Sequence, residues 1–124
     1  MTILEAINQV DNLKYNTYTQ GDKIAWLSRL DGMAKRLIID THDGAEAGDF
    51  SGYNDKTSLD TQLLIPSPFD SVYIRWLETM IDYANGEYDK YNNSMLMFHA
   101  EYDSYADFYK RTHMPKGKGT RFIF

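Results

Sequence analysis

Histidine, serine and paired carboxylates are the residue types in this chain that could carry out catalysis or hold a metal ion. The three histidines, His42, His99 and His113, are far apart in the sequence, and none belongs to a two-ligand motif such as H-E-x-x-H. His99 directly follows an aromatic position of a helical pattern, which favours a role in packing or on the helix flank. The sequence therefore predicts no histidine metal site.

The motifs that support nucleotide binding or nucleophilic catalysis do not occur in the sequence. There is no G-x-x-x-x-G-K-[ST] or G-x-G-x-x-G run to cradle a phosphate, and there is no G-x-S-x-G nucleophile elbow. The chain contains no cysteine, which excludes disulfides, thiolate zinc sites and cysteine nucleophiles. We therefore expect no catalytic residue, no bound metal, no cofactor and no small-molecule substrate, so that the protein is not an enzyme.

Carboxylates are abundant, but their spacing does not define a site. Residues 49–55 superficially resemble a calcium-binding loop, yet the glycine and the closing glutamate of such a loop are misplaced. Glu101 and Asp103 are two positions apart on a predicted helix and therefore do not share a face. With 18 acidic residues in the chain, such pairs arise by chance.

The composition is that of one small folded domain. The chain has 124 residues, of which 43% are hydrophobic and 25% are charged, so there is room for one modest core. Aromatic residues reach 15%, and ten of them are tyrosines, an excess that is typically used in packing or at interfaces. The N-terminus lacks the features of a signal peptide, and no apolar run is long enough to span a membrane.

Charge is unevenly distributed along the chain, which has a net charge of −5. Residues 40–60 contain six acids and a single lysine, whereas residues 112–124 contain three basic residues and no acid. This pattern suggests head-to-tail complementarity between subunits or partners, although a solvated loop and an ordinary charged tail remain the simpler alternative. The acidic balance argues against a dedicated nucleic-acid binder, which would present a broad basic face.

Hydrophobic periodicity predicts a small all-α bundle of about four helices, with a single domain over residues 1–115. The expected helices cover about residues 2–13, 20–41, 69–85 and 87–112. Thr2 and Glu5 form a capping-box pattern at the start of the first helix. Asn85-Gly86 is a strong helix stop, so the third and fourth helices should form a long antiparallel hairpin; one continuous helix through Gly86 is the alternative.

The fourth helix carries a seam of aromatic and apolar residues on one side. Their spacing alternates between three and four, as in a heptad pattern: Tyr88, Tyr91, Met95, Phe98, Tyr102, Tyr105 and Tyr109. Because tyrosine buries its ring while its hydroxyl needs a partner or water, we consider two roles. The seam packs inside its own domain, or part of it is shared with another subunit.

Two segments lack helical periodicity. Residues 42–67 form an extended acidic loop, and loops of this length are commonly functional or disordered. Within this loop, Leu63-Leu64-Ile65 before Pro66 should pack onto the core. The tail over residues 116–124 is glycine-rich and basic, yet it contains Phe122-Ile123-Phe124. We expect these apolar residues to dock on their own domain or on a neighbouring protein, in the second case for example as an added strand.

Several short segments in both halves of the chain carry a resemblance to a known family. In the C-terminal half they are residues 83–95 (YANGEYDKYNNSM) and 111–115 (RTHMP). In the N-terminal half they are residues 30–33 (LDGM), 39–42 (IDTH), the acidic loop and 63–70 (LLIPSPFD). In these segments the chain resembles a small protein of prophages and long-tailed phages of Gram-positive bacteria. The resemblance spans almost the whole chain, and it implies a head–tail connector, also called an adaptor.

Connectors of this kind are helical bundles that form a ring beneath the portal, extend the DNA channel and present a surface to the next neck or tail protein. The resemblance therefore implies a homo-oligomeric ring that contacts portal and neck or tail proteins. DNA would pass through it without specific binding, and no membrane would be involved. The location would be the neck of the virion, after synthesis in the host cytoplasm. The alternative is a helical protein–protein interaction module that does not form a ring.

The resemblance also suggests which residues form the contacts, as hypotheses. The residues expected at protein interfaces are the helix tyrosines and the tail: Tyr88, Tyr91, Tyr102, Tyr105, Tyr109, Lys116, Lys118, Arg121, Phe122, Ile123 and Phe124. The residues expected to line the channel or contact a neighbouring ring lie in the acidic loop: Asp43, Glu46, Asp49, Phe50, Tyr53 and Asp55. An acidic channel wall would repel phosphates and allow DNA to slide.

Overall fold

The structure is a computed structural model, and it describes residues 1–42 and 50–115. Four α-helices occur in this part of the chain, and no sheet does, which confirms the all-α prediction. The helices are α1 (Ile3–Leu13), α2 (Gln20–Ala34), α3 (Val72–Ala84) and α4 (Tyr88–Thr112). The tail and the most acidic part of the loop, residues 116–124 and 43–49, lie outside the described residues.

The first helix begins where the capping box places it. The hydroxyl of Thr2 accepts a hydrogen bond from the backbone N–H of Glu5, and the Glu5 carboxylate accepts one from the N–H of Thr2. Both bonds satisfy N–H groups that a helix start leaves without partners. Thr19 and Asp22 form the same arrangement at the start of α2. The buried residues of α1 form one stripe: Ile3, Ala6, Ile7 and Val10.

The second helix does not continue to residue 41 as a regular α-helix. A π-helical turn over Lys35–Ile39 follows α2 directly, and the chain leaves the helix at Asp40. In this turn the N–H of Asp40 donates to the carbonyl of Lys35 at 2.8 Å. The extra residue in the turn changes the side on which the following side chains lie. As a result, Ile38 and Ile39 are both buried, whereas Leu37, which precedes them in the same turn, is exposed.

The third and fourth helices form the predicted antiparallel hairpin, which is the most extensive helix pair of the structure. Gly86 joins them with a φ of +74°, a conformation that favours glycine. Before α3, residues 66–71 form turns instead of the expected first helical turn, so that the helix begins at Val72. The hairpin packs on α1 and α2 through α3, and α4 also contacts the π-helical turn that follows α2.

The chain between the two helix pairs crosses the N-terminus in an extended form. Thr2 and Gln62 form an antiparallel bridge, and the N–H of Leu63 donates to the carbonyl of Met1 at 2.9 Å. Leu63 and Ile65 are buried, which confirms that this triplet packs onto the core. The loop thus closes one side of the bundle.

Candidate protein-binding site

The tyrosine seam of α4 is divided between core and surface. Near the C-terminal end of the helix, Tyr105 is only 2% exposed, and its ring centroid lies 5.6 Å from that of Phe69. Tyr109 stacks on His113 at 3.8 Å and meets the ring of His42 edge-on at 6.0 Å. Burial raises the pKa of Tyr105 to about 12. Both tyrosines are buried in the core of this chain, so little of either ring is open to solvent, and their role at an interface stays a prediction.

Tyr102 occupies an intermediate position on the seam. Its ring stacks on Phe98 with centroids 5.4 Å apart, and burial raises the pKa of the Tyr102 phenol. Its hydroxyl is buried and has no hydrogen-bond partner among the described residues. Such a hydroxyl loses solvation on folding without a compensating bond. Tyr102 is therefore chiefly a packing residue.

At the other end of the hairpin the aromatic residues are open to solvent. Tyr83 is 55% exposed and Tyr88 is 63% exposed. The ring of Tyr83 lies 6.4 Å from that of Tyr88 and 5.3 Å from that of Tyr91. The Tyr18 hydroxyl donates a 2.6 Å hydrogen bond to Asn85 in the turn, which fixes this end of the hairpin to the α1–α2 connection. Three tyrosines are thus held together at an exposed tip.

A groove of about 300 Å³ begins beside these tyrosines and runs between α2 and the hairpin. We call it the tyrosine groove, and it is lined by Arg29, Trp76, Met80, Tyr83, Tyr91 and Met95. The Trp76 indole is held in place because its N–H donates to the carbonyl of Trp26 at 2.8 Å. Tryptophan, tyrosine, methionine and arginine are the residue types enriched at protein interfaces. The groove therefore has the composition of a protein-binding surface.

The charge on the groove comes from Arg29. Its side chain is exposed and forms no ion pair with any residue that the structure describes. An arginine left without a partner beside aromatic rings can form paired hydrogen bonds with a carboxylate or lie flat against a ring. A partner that presents an acidic residue next to an apolar one fits this arrangement.

A second polar cluster lies in the core, and it is centred on Asp31. This side chain is 0% exposed, and its carboxylate accepts hydrogen bonds from the hydroxyls of Tyr53 and Tyr73 and from the N–H of Leu64 at 3.0 Å. The Tyr73 hydroxyl in turn accepts from the N–H of Ile65 at 2.7 Å. Burial raises the pKa of Asp31, while the three hydrogen bonds act in the opposite direction. We call these residues the Asp31 cluster.

The Asp31 carboxylate finds its hydrogen-bond partners within the chain. A carboxylate between two phenols is a set of groups that could hold or move a proton. Here both carboxylate oxygens already accept hydrogen bonds and are fully covered, so they offer no open position to a ligand. The cluster joins α2, the extended loop and α3, and it is a structural element.

Asp82 is a second buried carboxylate, and it stabilises the hairpin close to its tip. It accepts a hydrogen bond from the Ser94 hydroxyl at 2.7 Å and forms an ion pair with the ammonium of Lys14 at 2.7 Å. Because Asp82 lies on α3, Ser94 on α4 and Lys14 at the end of α1, three helices meet at one carboxylate. This contact fixes the hairpin to the C-terminal end of α1.

The described part of the acidic loop lies partly on the core. Tyr53 bonds Asp31, and its ring meets that of Phe50 with centroids 5.0 Å apart. Gly52 has a φ of +95°, and a Cβ at this position would meet the Ser28 hydroxyl at 2.9 Å. Asp55 is exposed. Phe50 and Tyr53 are thus held against the helices, whereas a channel-lining role for the loop stays a prediction.

Several predicted contact residues cannot be placed. The loop acids Asp43, Glu46 and Asp49 lie outside the described residues, as do the following tail residues: Lys116, Lys118, Arg121, Phe122, Ile123 and Phe124. Among the described residues, no group of three or more histidine, aspartate or glutamate side chains is placed to hold a metal ion. None of the described helices is long and apolar enough to cross a membrane.

Sequence reasoning found one contact residue that lines the tyrosine groove, Tyr91, and the nearby Tyr88, but it missed Arg29 and Tyr83. It also missed Asp31, although the residue occurs on the apolar side of its helix, between Leu30 and Ala34. An acid inside an apolar stripe signals a buried, hydrogen-bonded carboxylate. The sequence contained this signal, but it did not identify the residues that form hydrogen bonds with Asp31.

Comparison of the chain with protein-family models, with curated proteins and with solved structures finds no match.

Proposed function

We propose that this chain is a virion structural protein, a head–tail connector of a long-tailed phage or prophage. In this role, copies of the chain form a ring below the portal, and the tyrosine groove of each copy binds a segment of a portal, neck or tail protein. Two lines of support exist: the resemblance described above and the composition of the groove. The ring, the virion location and the passage of DNA are parts of the proposal.

The observation that carries the proposal is the cluster of open tyrosines beside the groove. Large exposed aromatic side chains expose apolar area to water, and burying them against a partner is favourable. Tyr83 and Tyr88 remain more than half exposed, although the same helices bury other aromatic residues almost fully. A surface of this kind is typical of protein-binding sites whose occupant is another chain.

The direct test is retention of the purified chain by immobilised portal and neck proteins of the phage or prophage that encodes it. The wild-type chain should be retained, and the double variant Tyr83→Ala, Tyr88→Ala should lose most of this binding. A matched control is Tyr15→Ala, because Tyr15 is 87% exposed and does not line the groove. Circular dichroism of each variant establishes that it is folded.

Three outcomes separate the alternatives. Retention that depends on Tyr83 and Tyr88 supports the connector. Equal retention of the wild type and the double variant would show that the groove is not the contact. Absence of binding to any portal or neck protein would overturn the connector, and would favour the interaction module without ring assembly.

A further inference from the structure

Asn85-Gly86, in the turn between α3 and α4, is a dipeptide that can modify itself. The chain contains seven asparagines, and only Asn85 is followed by glycine. In deamidation, the backbone nitrogen of the following residue attacks the carbonyl carbon of the asparagine side chain. Because glycine has no Cβ to hinder this attack, Asn85 is the asparagine whose sequence context favours the reaction most. Asn85 and Gly86 are both exposed, so solvent reaches the pair.

The reaction exchanges the side-chain amide for a carboxylate in two steps. First, a bond forms between the Gly86 nitrogen and Cγ of Asn85, the bond from Cγ to Nδ2 breaks, and ammonia leaves. The proton of the Gly86 N–H passes through solvent to the leaving nitrogen, and a five-membered succinimide ring remains. Water then opens this ring at one of its two carbonyls, which gives aspartate or isoaspartate. Water is the only co-reactant.

The closed turn holds the two reacting atoms apart. Asn85 has a ψ of −10°, so the Gly86 nitrogen nearly eclipses the backbone nitrogen of Asn85 and lies away from its Cβ. Ring closure requires a rotation about the Cα–C bond of Asn85 that brings the Gly86 nitrogen beside Cβ. The Gly86 N–H donates to the carbonyl of Tyr83 at 3.0 Å, and the N–H of Glu87 donates to that of Asp82 at 3.0 Å. The rotation would break both hydrogen bonds.

The side chain of Asn85 is fixed as well. The Tyr18 hydroxyl donates to Oδ1 of Asn85 at 2.6 Å, and Nδ2 of Asn85 donates to the Glu87 carboxylate at 3.4 Å. The Tyr18 ring is itself held by an edge-on contact with Trp26, with ring centroids 5.6 Å apart. A hydroxyl that lies 67 positions away in the sequence thus restrains the carbonyl that the reaction attacks.

We propose that Asn85 is a deamidation site that the closed hairpin tip protects, and that the hydrogen bond from Tyr18 controls its rate. The hairpin tip is defined here as residues 83–88. Conversion takes place in the small population of molecules in which the tip has opened while the rest of the bundle stays folded. The inference does not rest on the connector role, because every group that it uses belongs to one chain.

The two products differ in how far they allow the tip to close again. Aspartate keeps an oxygen that accepts from Tyr18, but it replaces the Nδ2 donor with a carboxylate oxygen that faces the Glu87 carboxylate. Isoaspartate adds one carbon atom to the backbone, so the hydrogen bonds from Gly86 and Glu87 to α3 lose their register. Deamidation therefore loosens the end of the hairpin that carries the exposed tyrosines, and isoaspartate loosens it most.

The test follows deamidation of the full chain by peptide-mapping mass spectrometry at mildly alkaline pH. In guanidinium chloride, Asn85 should convert faster than any other asparagine. In the native state its conversion should be at least about tenfold slower than in the unfolded chain. Tyr18→Phe keeps the ring and removes only the hydroxyl. It should raise the native rate about fivefold, as expected for the loss of one hydrogen bond, and leave the rate of the unfolded chain unchanged.

Two control variants separate opening of the tip from other causes. Tyr73→Phe weakens the Asp31 cluster without contact with the tip, so it should not change the native rate at Asn85. Tyr15→Phe removes the hydroxyl of an exposed tyrosine in the same connection as Tyr18, and it should not change the rate either. Circular dichroism establishes that each variant is folded.

Three results would overturn the proposal. A native wild-type chain that converts Asn85 as fast as the unfolded chain would show that the closed tip gives no protection. An unchanged native rate in Tyr18→Phe would show that the hydrogen bond does not control the reaction. Equal acceleration by Tyr18→Phe and Tyr73→Phe would show that conversion requires global unfolding and not opening of the tip.

Discussion

The two ends of the α4 seam use the same residue type for opposite purposes. Tyr105 and Tyr109 lie under Phe69 and beside His42, so other segments of the chain cover them. Tyr88 lies at the hairpin tip, where the last turn of α3 is its principal neighbour. The tyrosines at both ends belong to the same alternating spacing of three and four residues. Whether a seam tyrosine becomes core or surface is therefore decided by which other segments reach it.

The largest expected loss of stability comes from disrupting the packed, C-terminal end of the α4 seam. Tyr105→Ala should lower the free energy of unfolding by about 3–5 kcal/mol, because it removes a buried ring and leaves a cavity. Urea denaturation measures this value, and Tyr105→Phe is the control that keeps the ring. If Tyr105→Ala lowered the free energy of unfolding by less than about 1 kcal/mol, Tyr105 would not be the core residue described above.

A smaller loss of stability is expected when a hydrogen bond of the Asp31 cluster is removed. This cluster fixes the extended loop to α2 and α3. Tyr73→Phe removes a hydroxyl that donates to Asp31 and accepts from the N–H of Ile65. Unpairing these buried groups should lower the free energy of unfolding by about 1–3 kcal/mol. The exposed Tyr15→Phe serves as the matched control and should change nothing measurable.

The same cluster predicts a difference in pH dependence. Since burial raises the pKa of Asp31 above 3.8, the native state holds more protons than the unfolded state between 3.8 and that raised pKa. Lowering the pH through this window should therefore stabilise the wild type relative to Asp31→Asn. Urea denaturation of both proteins from pH 7 to pH 4 measures the difference, and a difference that moves the other way would contradict the raised pKa.

The smallest effect on stability is expected at the open end. Tyr88→Ala should change the free energy of unfolding by no more than about 0.5 kcal/mol, because the side chain is largely exposed. Thermal unfolding followed by circular dichroism measures this change. If Tyr88→Ala destabilised the chain as much as Tyr105→Ala, the two ends of the seam would not differ in the way described.

Local sequence signals predicted the helices and their hairpin well. The Thr2–Glu5 capping box and the Asn85-Gly86 stop act within a few residues, so they can be read without knowing the rest of the fold. The π-helical turn at Lys35–Ile39 could not be predicted in this way. It depends on how the last turn of the helix packs against α4.

The partners of Asp31 illustrate the limit for the site. Tyr53 and Tyr73 are 22 and 42 positions away along the chain, and no local pattern connects them to Asp31. The tyrosine groove is similar, since it combines Arg29 of α2 with residues of both hairpin helices. Sequence periodicity identifies which face of a helix is apolar, but not which of several helices will cover it.

The Asp31 cluster also has a dynamic consequence for the extended loop. The amide protons of Leu64 and Ile65 lie outside any helix, yet one bonds to a buried carboxylate and the other to a buried phenol. Breaking either bond leaves a buried acceptor on α2 or α3 without its partner, so we expect these bonds to open when the loop separates from both helices. In native-state hydrogen exchange, we therefore expect these two amides to exchange at the rate of global unfolding, as is expected for the central amides of α3. By this measure, a segment without regular secondary structure belongs to the slowest-opening unit of the protein.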